Sequence, residues 1–105
     1  MTVQKNIGDV VSVTATIRNT SNVDYAFSSD VSLNNTIVQT KSISILAGNT
    51  EQVSFSFIVN QSGTFDIRVR VLDNNTVLDS EILPRVLIVL AAVVINAEIV
   101  SIDVV

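Results

Sequence analysis

Residues 73–81, "DNNTVLDSE", set Asp73, Asn75, Asp79 and Glu81 close together in the chain. Carboxylate and amide oxygens are hard donors, and this set could serve a calcium ion. The stretch lacks the glycine and the full spacing of an EF-hand loop, so the simpler expectation is a solvated hairpin with calcium as its sole metal candidate. The same acids could in form support two-carboxylate hydrolysis, but a hairpin again accounts for them. Asp24 and Asp30 stand more isolated still. The chain has no His and no Cys. Ser-His-Asp and Cys-His arrangements, thiolate metal sites and disulfides are therefore excluded. A Ser-Lys dyad would need Lys5 or Lys41 beside a serine in a pocket, and nothing in the sequence marks one. No catalytic residue, no cofactor and no enzyme activity is expected.

Asn-x-Ser/Thr sequons begin at Asn19, Asn34, Asn60 and Asn74. All fall in turn-like stretches, where a glycosylating enzyme could reach them. They tilt the source toward an extracellular, cell-surface or virion protein. Sugar binding is poorly supported, because Tyr25 is the single Tyr and there is no Trp to offer an aromatic platform. Nucleic-acid binding is not expected either. The net charge is −4, and Arg18, Arg68, Arg70 and Arg85 do not form a basic run.

What must position these residues is a single domain, since 105 residues bury one core. Hydrophobic residues at 48% with charged ones at only 15% exclude a disordered tail, and the mean hydropathy of +0.52 is high for a freely soluble monomer. The opening "MTVQKNIGDVV" lacks the apolar stretch of a signal peptide, so no secretion signal is expected in this chain. The apolar run Val86 to Ile95 is far shorter than the roughly 20 residues a helix needs to span a bilayer, so no membrane span is expected.

Strand patterning dominates. Val11, Val13, Ala15 and Ile17 alternate with Ser12, Thr14, Thr16 and Arg18. Val53, Phe55, Phe57 and Val59 alternate with polar residues, as do Phe65, Ile67, Val69 and Val71. A period of two marks a strand with one face in a core. Tyr25, Phe27, Val31 and Leu33 share a side with Ser29 between them, and Pro84 ends or kinks a further strand. Gly8, Gly48 and Gly63, with the pairs Asn34-Asn35 and Asn74-Asn75, supply turns. No segment shows a helical period with caps. The fold class is all-β, an antiparallel sandwich or barrel.

The order "GDVVSVTATIRNTSN", "ILAGNTEQVSFSF", "QSGTFDIRVRVLDNNTVLDSE" resembles the CARDB-type, immunoglobulin-like adhesion modules of bacterial and archaeal surface proteins. The matching residues are Gly8, Asn19, Thr20, Leu46, Gly48, Ser62, Gly63, Phe65, Asp73, Asn75 and Glu81, within residues 8–81. Ser21 departs from the pattern, where glycine is usual. The resemblance implies an immunoglobulin-like antiparallel β-sandwich of seven strands, found in extracellular, cell-surface or virion proteins, with no catalytic site. Such modules open with a further strand. Only the short "MTVQKNI" precedes Gly8, whereas the tail "AEIVSIDVV" looks like that opening strand moved to the far end.

In the run 86–95, Val86, Ile88, Leu90, Ala92 and Val94 lie on one side, and Leu87, Val89, Ala91, Val93 and Ile95 on the other. One side can meet the core. The other, through Leu87, Val89, Val93 and Ile95, is expected to form an interface with another subunit. The tail adds Val100, Ile102 and Val104 opposite Ser101 and Asp103, an additional C-terminal strand that must find an edge. The expected organisation is a sandwich over residues 1–85, with 86–105 completing it or exchanged with a neighbour. The expected function is a non-enzymatic structural subunit of a repeating extracellular assembly, a virion or surface filament, partnered by copies of itself or other structural subunits. The alternative is a monomeric cell-surface adhesion or binding module from a tandem array, whose tail opens the next repeat.

Overall fold

The computed structural model describes residues 2–91 and 97–104. Seven strands follow in order: β1 (Val3–Asn6), β2 (Val10–Arg18), β3 (Tyr25–Leu33), β4 (Thr36–Ile45), β5 (Thr50–Ile58), β6 (Gly63–Asp73) and β7 (Thr76–Leu90). They form a five-stranded sheet, β1-β7-β6-β3-β4, facing a two-stranded sheet, β2-β5. The alternating stretches make the strands they predict: Val11 in β2 and Val53 and Phe55 in β5 are buried, while the Ser and Thr residues between them are exposed. These side chains meet Val31, Ile67, Leu87 and Val89 of the larger sheet in one apolar core. At about 25 cal/mol per Å2 of apolar surface, that core supplies the main drive to fold.

Turn chemistry sets the joints. Asn34 (φ 48°) and Asn35 (φ 70°) make the two-residue β3–β4 hairpin, whose flanking residues Leu33 and Thr36 pair. Two positive φ angles there give the turn the right-handed twist of its strands. Residues 46–49 close with Asn49 N–H donating to the Leu46 carbonyl at 3.0 Å, with Gly48 at φ 75° in third place. No atom would crowd a Cβ at Gly48, so the backbone angle alone demands glycine.

Two expectations about the ends need correction. The opening strand is present: Val3–Asn6 pairs in parallel with Leu87–Leu90 of β7. Its four residues escaped notice because so short a segment shows little alternation. The tail does not replace it. Residues 98–104 form no strand among the described residues.

The apolar run also departs from expectation, with Val86 and Leu87, on opposite sides of it, both buried. Leu87 and Val89, assigned above to an intermolecular interface, are 0% and 2% exposed in the chain's own core, whereas Leu90 is 45% exposed. Alternation cannot orient a run that is apolar on both sides; the ladder does so here. Leu87 stands opposite Phe65, whose ring packs against the core, and paired residues share a face. Between Leu83 and Leu87 the β7 register slips by two residues against β6, at Pro84 and Arg85. Arg85 takes φ 51°, and its N–H donates to Asp66 Oδ1 at 2.7 Å. Pro84 therefore kinks the strand without ending it, and β7 runs unbroken across residue 85.

Two substitutions check this orientation. Leu87→Ala should destabilise the domain by about 2–5 kcal/mol and Leu90→Ala by about 1 kcal/mol or less, read by denaturant unfolding. Arg85→Gly should raise the midpoint of thermal unfolding by relieving a left-handed conformation that costs a non-glycine residue roughly 1 kcal/mol.

Candidate functional site

The residues that could do chemistry are spread along the ladders. The Asn74-Asn75 turn is a tight hairpin with Asp73 paired to Thr76, so Asp79 and Glu81 climb β7 opposite Val71 and Val69. Strand rise of about 3.3 Å per residue then separates them from the turn. Asp73 accepts the Tyr25 hydroxyl at 2.5 Å, and Asp79 accepts its neighbour's N–H, from Ser80, at 2.9 Å. Among the described residues, no three acidic, His or Cys side chains gather for a metal ion. The calcium loop sketched from Asp73, Asn75, Asp79 and Glu81 is not assembled. Asp24 accepts the Ala47 N–H at 2.8 Å, closing the 46–49 turn. Lys41 donates to the Ser54 carbonyl and sits 6.0 Å from the Phe55 ring centre. It makes no dyad with a serine hydroxyl.

Asn19 is the largest departure from the expected sites. It is 1% exposed and lies inside the fold. Its Nδ2 donates to the Val23 carbonyl at 2.8 Å and the Ile45 carbonyl at 2.9 Å; its Oδ1 accepts the Ser21 N–H at 3.0 Å and the Ser21 hydroxyl at 2.5 Å. Its main chain pairs with Asn49 and Gly48. An amide so enclosed cannot receive a glycan in the folded domain. Asn34 is engaged as well, donating from Nδ2 to the Thr64 carbonyl at 3.3 Å and accepting the Asp66 N–H at 2.7 Å. Asn60 and Asn74 remain exposed. The sequon pattern concealed the structural role of Asn19, although Asn at a strand end followed by Thr-Ser was a visible sign of local side-chain to backbone bonding.

On the outer face of the larger sheet, Arg70 grips Asp30 across the β3–β6 ladder: Nε donates at 2.9 Å and Nη2 at 2.6 Å. The sequence patterning set both outward but did not disclose that Asp30 is buried. The bond to Asp30 raises the Arg70 pKa, which keeps the guanidinium charged. A cleft of about 500 Å3 opens beside the β3–β4 hairpin, with Leu33, Val38, Phe57, Asn60, Gln61 and Phe65 among its lining. None of its lining residues titrates, so it offers no acid or base.

Of the expected interface set, Leu87 and Val89 are in the core, and Val93 and Ile95 lie outside the described residues. Val100, Ile102 and Val104 are 89%, 80% and 91% exposed. Four apolar side chains, with Ile99, thus stand in water on a segment that belongs to no sheet. Apolar side chains so exposed on such a segment call for a partner.

Two measurements test the polar geometry. Asn19→Ala should cost about 2–4 kcal/mol, because it strands the buried Ile45 carbonyl, the part-buried Val23 carbonyl and a turn N–H. The Asp73 carboxylate, by its hydrogen bond first and its charge second, raises the Tyr25 pKa. The folded state holds the phenol proton more firmly, so this link stabilises below the ordinary tyrosine pKa and is lost as pH rises through the folded one. With one Tyr and no Trp, ultraviolet titration reads the group cleanly. Asp73→Asn should bring its midpoint down toward that of free tyrosine.

The CARDB family model matches residues 2–82. No curated protein matches the sequence. Among solved structures, the crystal structure of the CARDB domain of the PF1109 protein from Pyrococcus furiosus, in complex with di-metal ions, superposes with a TM-score of 0.67 at 16% identity, covering 83% of this chain and 84% of that one. The solution structure of the CARDB domain of PF1109 gives 0.65 at 16% identity, covering 81% and 85%. These likenesses agree with the immunoglobulin-like β-sandwich. With the family model matched over most of its length, the chain belongs to the CARDB family, whose non-catalytic immunoglobulin-like modules occur in surface and extracellular proteins.

Proposed function

We propose that this chain is a structural subunit of a repeating extracellular assembly, a virion or surface filament, joined to its neighbours through its C-terminal segment. The observation that carries this is the tail: Ile99, Val100, Ile102 and Val104 are 80–91% exposed, alternate as a strand would from Val100 onward, and form no strand among the described residues. Burying one such side chain contributes roughly 1.5–3 kcal/mol, so three or four suffice to hold subunits together. The partner is another copy or a similar subunit.

A second function is favoured by membership of a family of surface modules: a monomeric adhesion or binding module in a tandem array, whose tail opens the following repeat. Light scattering over a concentration series separates the two. Assembly predicts that the mass climbs above the 11.3 kDa protomer. Val100→Asp with Ile102→Asp should then hold the chain at protomer mass while shifting its stability by about 0.5 kcal/mol or less, the range for exposed positions. A constant protomer mass for the unaltered chain at high concentration would give the function to the array module.

A further inference from the structure

Resting on the assembly proposed above, we infer the acceptor: residues 98–104 of one copy add as an antiparallel strand to the outer edge of β2 in the next. Among the described residues β2 pairs with β5 alone, so along Val10–Arg18 one edge of the two-stranded sheet has no ladder partner there. Edge N–H and C=O groups left in this way are a template for another strand. The inner face there is also incompletely covered. Val11 is buried, but Val13, Ala15 and Ile17 are only half-buried although they pack on the core. A strand laid beside them would complete their burial.

Other open edges fit less well. The unpaired edge of β5 is already engaged by β4 side chains: Gln39 Oε1 accepts the Ser56 N–H at 2.9 Å, and Lys41 Nζ donates to the Ser54 carbonyl. On β7, the edge before Leu87 is unpaired but interrupted by Pro84 and by the left-handed Arg85.

The residue patterns agree across the joint. When Val100, Ile102 and Val104 stand beside Ile17, Ala15 and Val13, all six face inward. Ser101 and Asp103 then fall beside Thr16 and Thr14 on the solvated face. A slip of one residue would turn Val100, Ile102 and Val104 to water, so the register is specified.

Direction selects a neighbour over the chain itself. β7 ends beside the β1–β2 turn, where the Ile7 N–H donates to the Leu90 carbonyl at 3.3 Å, and this is the pole at which β2 begins. A tail folding back onto its own β2 would run parallel to it. A tail continuing forward enters the next copy at the Arg18 pole and runs toward Val10, antiparallel. The molecule measures 89 Å along its long axis against 24 and 21 Å across, in keeping with a tail that projects ahead. Antiparallel pairing is the more stable arrangement per residue, and repeating this head-to-tail contact generates a filament or a closed ring.

The chain has no native Cys, so Glu98→Cys or Asp103→Cys gives a single attachment point for a spin label. Labelled full-length chain without nitrogen-15 is mixed with unlabelled full-length chain carrying it, so that only contacts between molecules broaden amide signals. The expected result is loss of signal near Arg18 with the label at 98 and near Thr14 with the label at 103. Broadening on β4 or on residues 76–83, while light scattering still shows growth, would overturn β2 as acceptor and leave the assembly standing. The reversed polarity would overturn the antiparallel docking. A constant protomer mass with no broadening between molecules would overturn both proposals. Broadening of β2 only within a doubly labelled dilute chain would show pairing in cis and overturn the exchange.

Discussion

The buried amide of Asn19 is the constraint on which the order of this sandwich rests. One side chain joins the end of β2, the 20–23 loop and the end of β4, while its backbone holds the 46–49 turn. β2 and β4 lie in different sheets. Apolar packing alone would let two sheets slide, because hydrophobic burial has no direction. Hydrogen bonds inside a low-dielectric interior do have direction, and a buried carbonyl without a partner is costly. Asn19 therefore fixes where the smaller sheet sits over the larger at this pole. At the other, the Gly8 N–H to Val59 carbonyl bond of 2.8 Å ties the β1–β2 turn to the end of β5.

With both poles tied, the core between them needs only modest material. Phe55 and Val53 from the small sheet meet Val31, Ile67 and Leu87 from the large one. The large sheet can then hold charge on its far side. Asp30 is buried there, yet both its oxygens are bonded to Arg70, and Ser29 beside it donates to the Arg70 carbonyl at 2.8 Å. A buried carboxylate left without such a partner would be strongly destabilising.

Strands β2, β5 and β6 were legible in the sequence because each has one apolar and one polar face, and a period of two reports that difference directly. The turns at 34–35, 48 and 74–75 were legible because positive φ angles select Asn and Gly. The facing of Leu87 and Val89 was not, since a strand apolar on both sides carries no internal sign of which side meets the core; only the partner Phe65 supplies it. Asn19 was misread as a surface residue for a related reason. Amide side chains suit exposed turns and enclosed hydrogen-bond hubs equally, and burial is decided by distant residues such as Ile45. The carboxylates of 73–81 failed to gather because a two-residue turn aligns them along a ladder, whereas a metal loop must curl them inward. The resemblance over residues 8–81 held, since it rested on turn-and-strand punctuation, which the backbone obeys.

What the fold leaves available is main chain more than side-chain chemistry. Strand edges on this domain are managed unequally: Gln39 and Lys41 occupy the edge of β5, and Pro84 with Arg85 interrupts that of β7. The outer edge of β2 has no ladder partner among the described residues. Recognition by strand addition needs no cluster of acids or bases, because ladder hydrogen bonds supply affinity and alternate side chains supply register. In the proposed assembly, an adjoining copy would cover apolar residues that are a liability on a solitary domain. Exposed Val100, Ile102 and Val104 raise the cost of remaining alone, and the half-buried row Val13, Ala15 and Ile17 lowers the cost of joining.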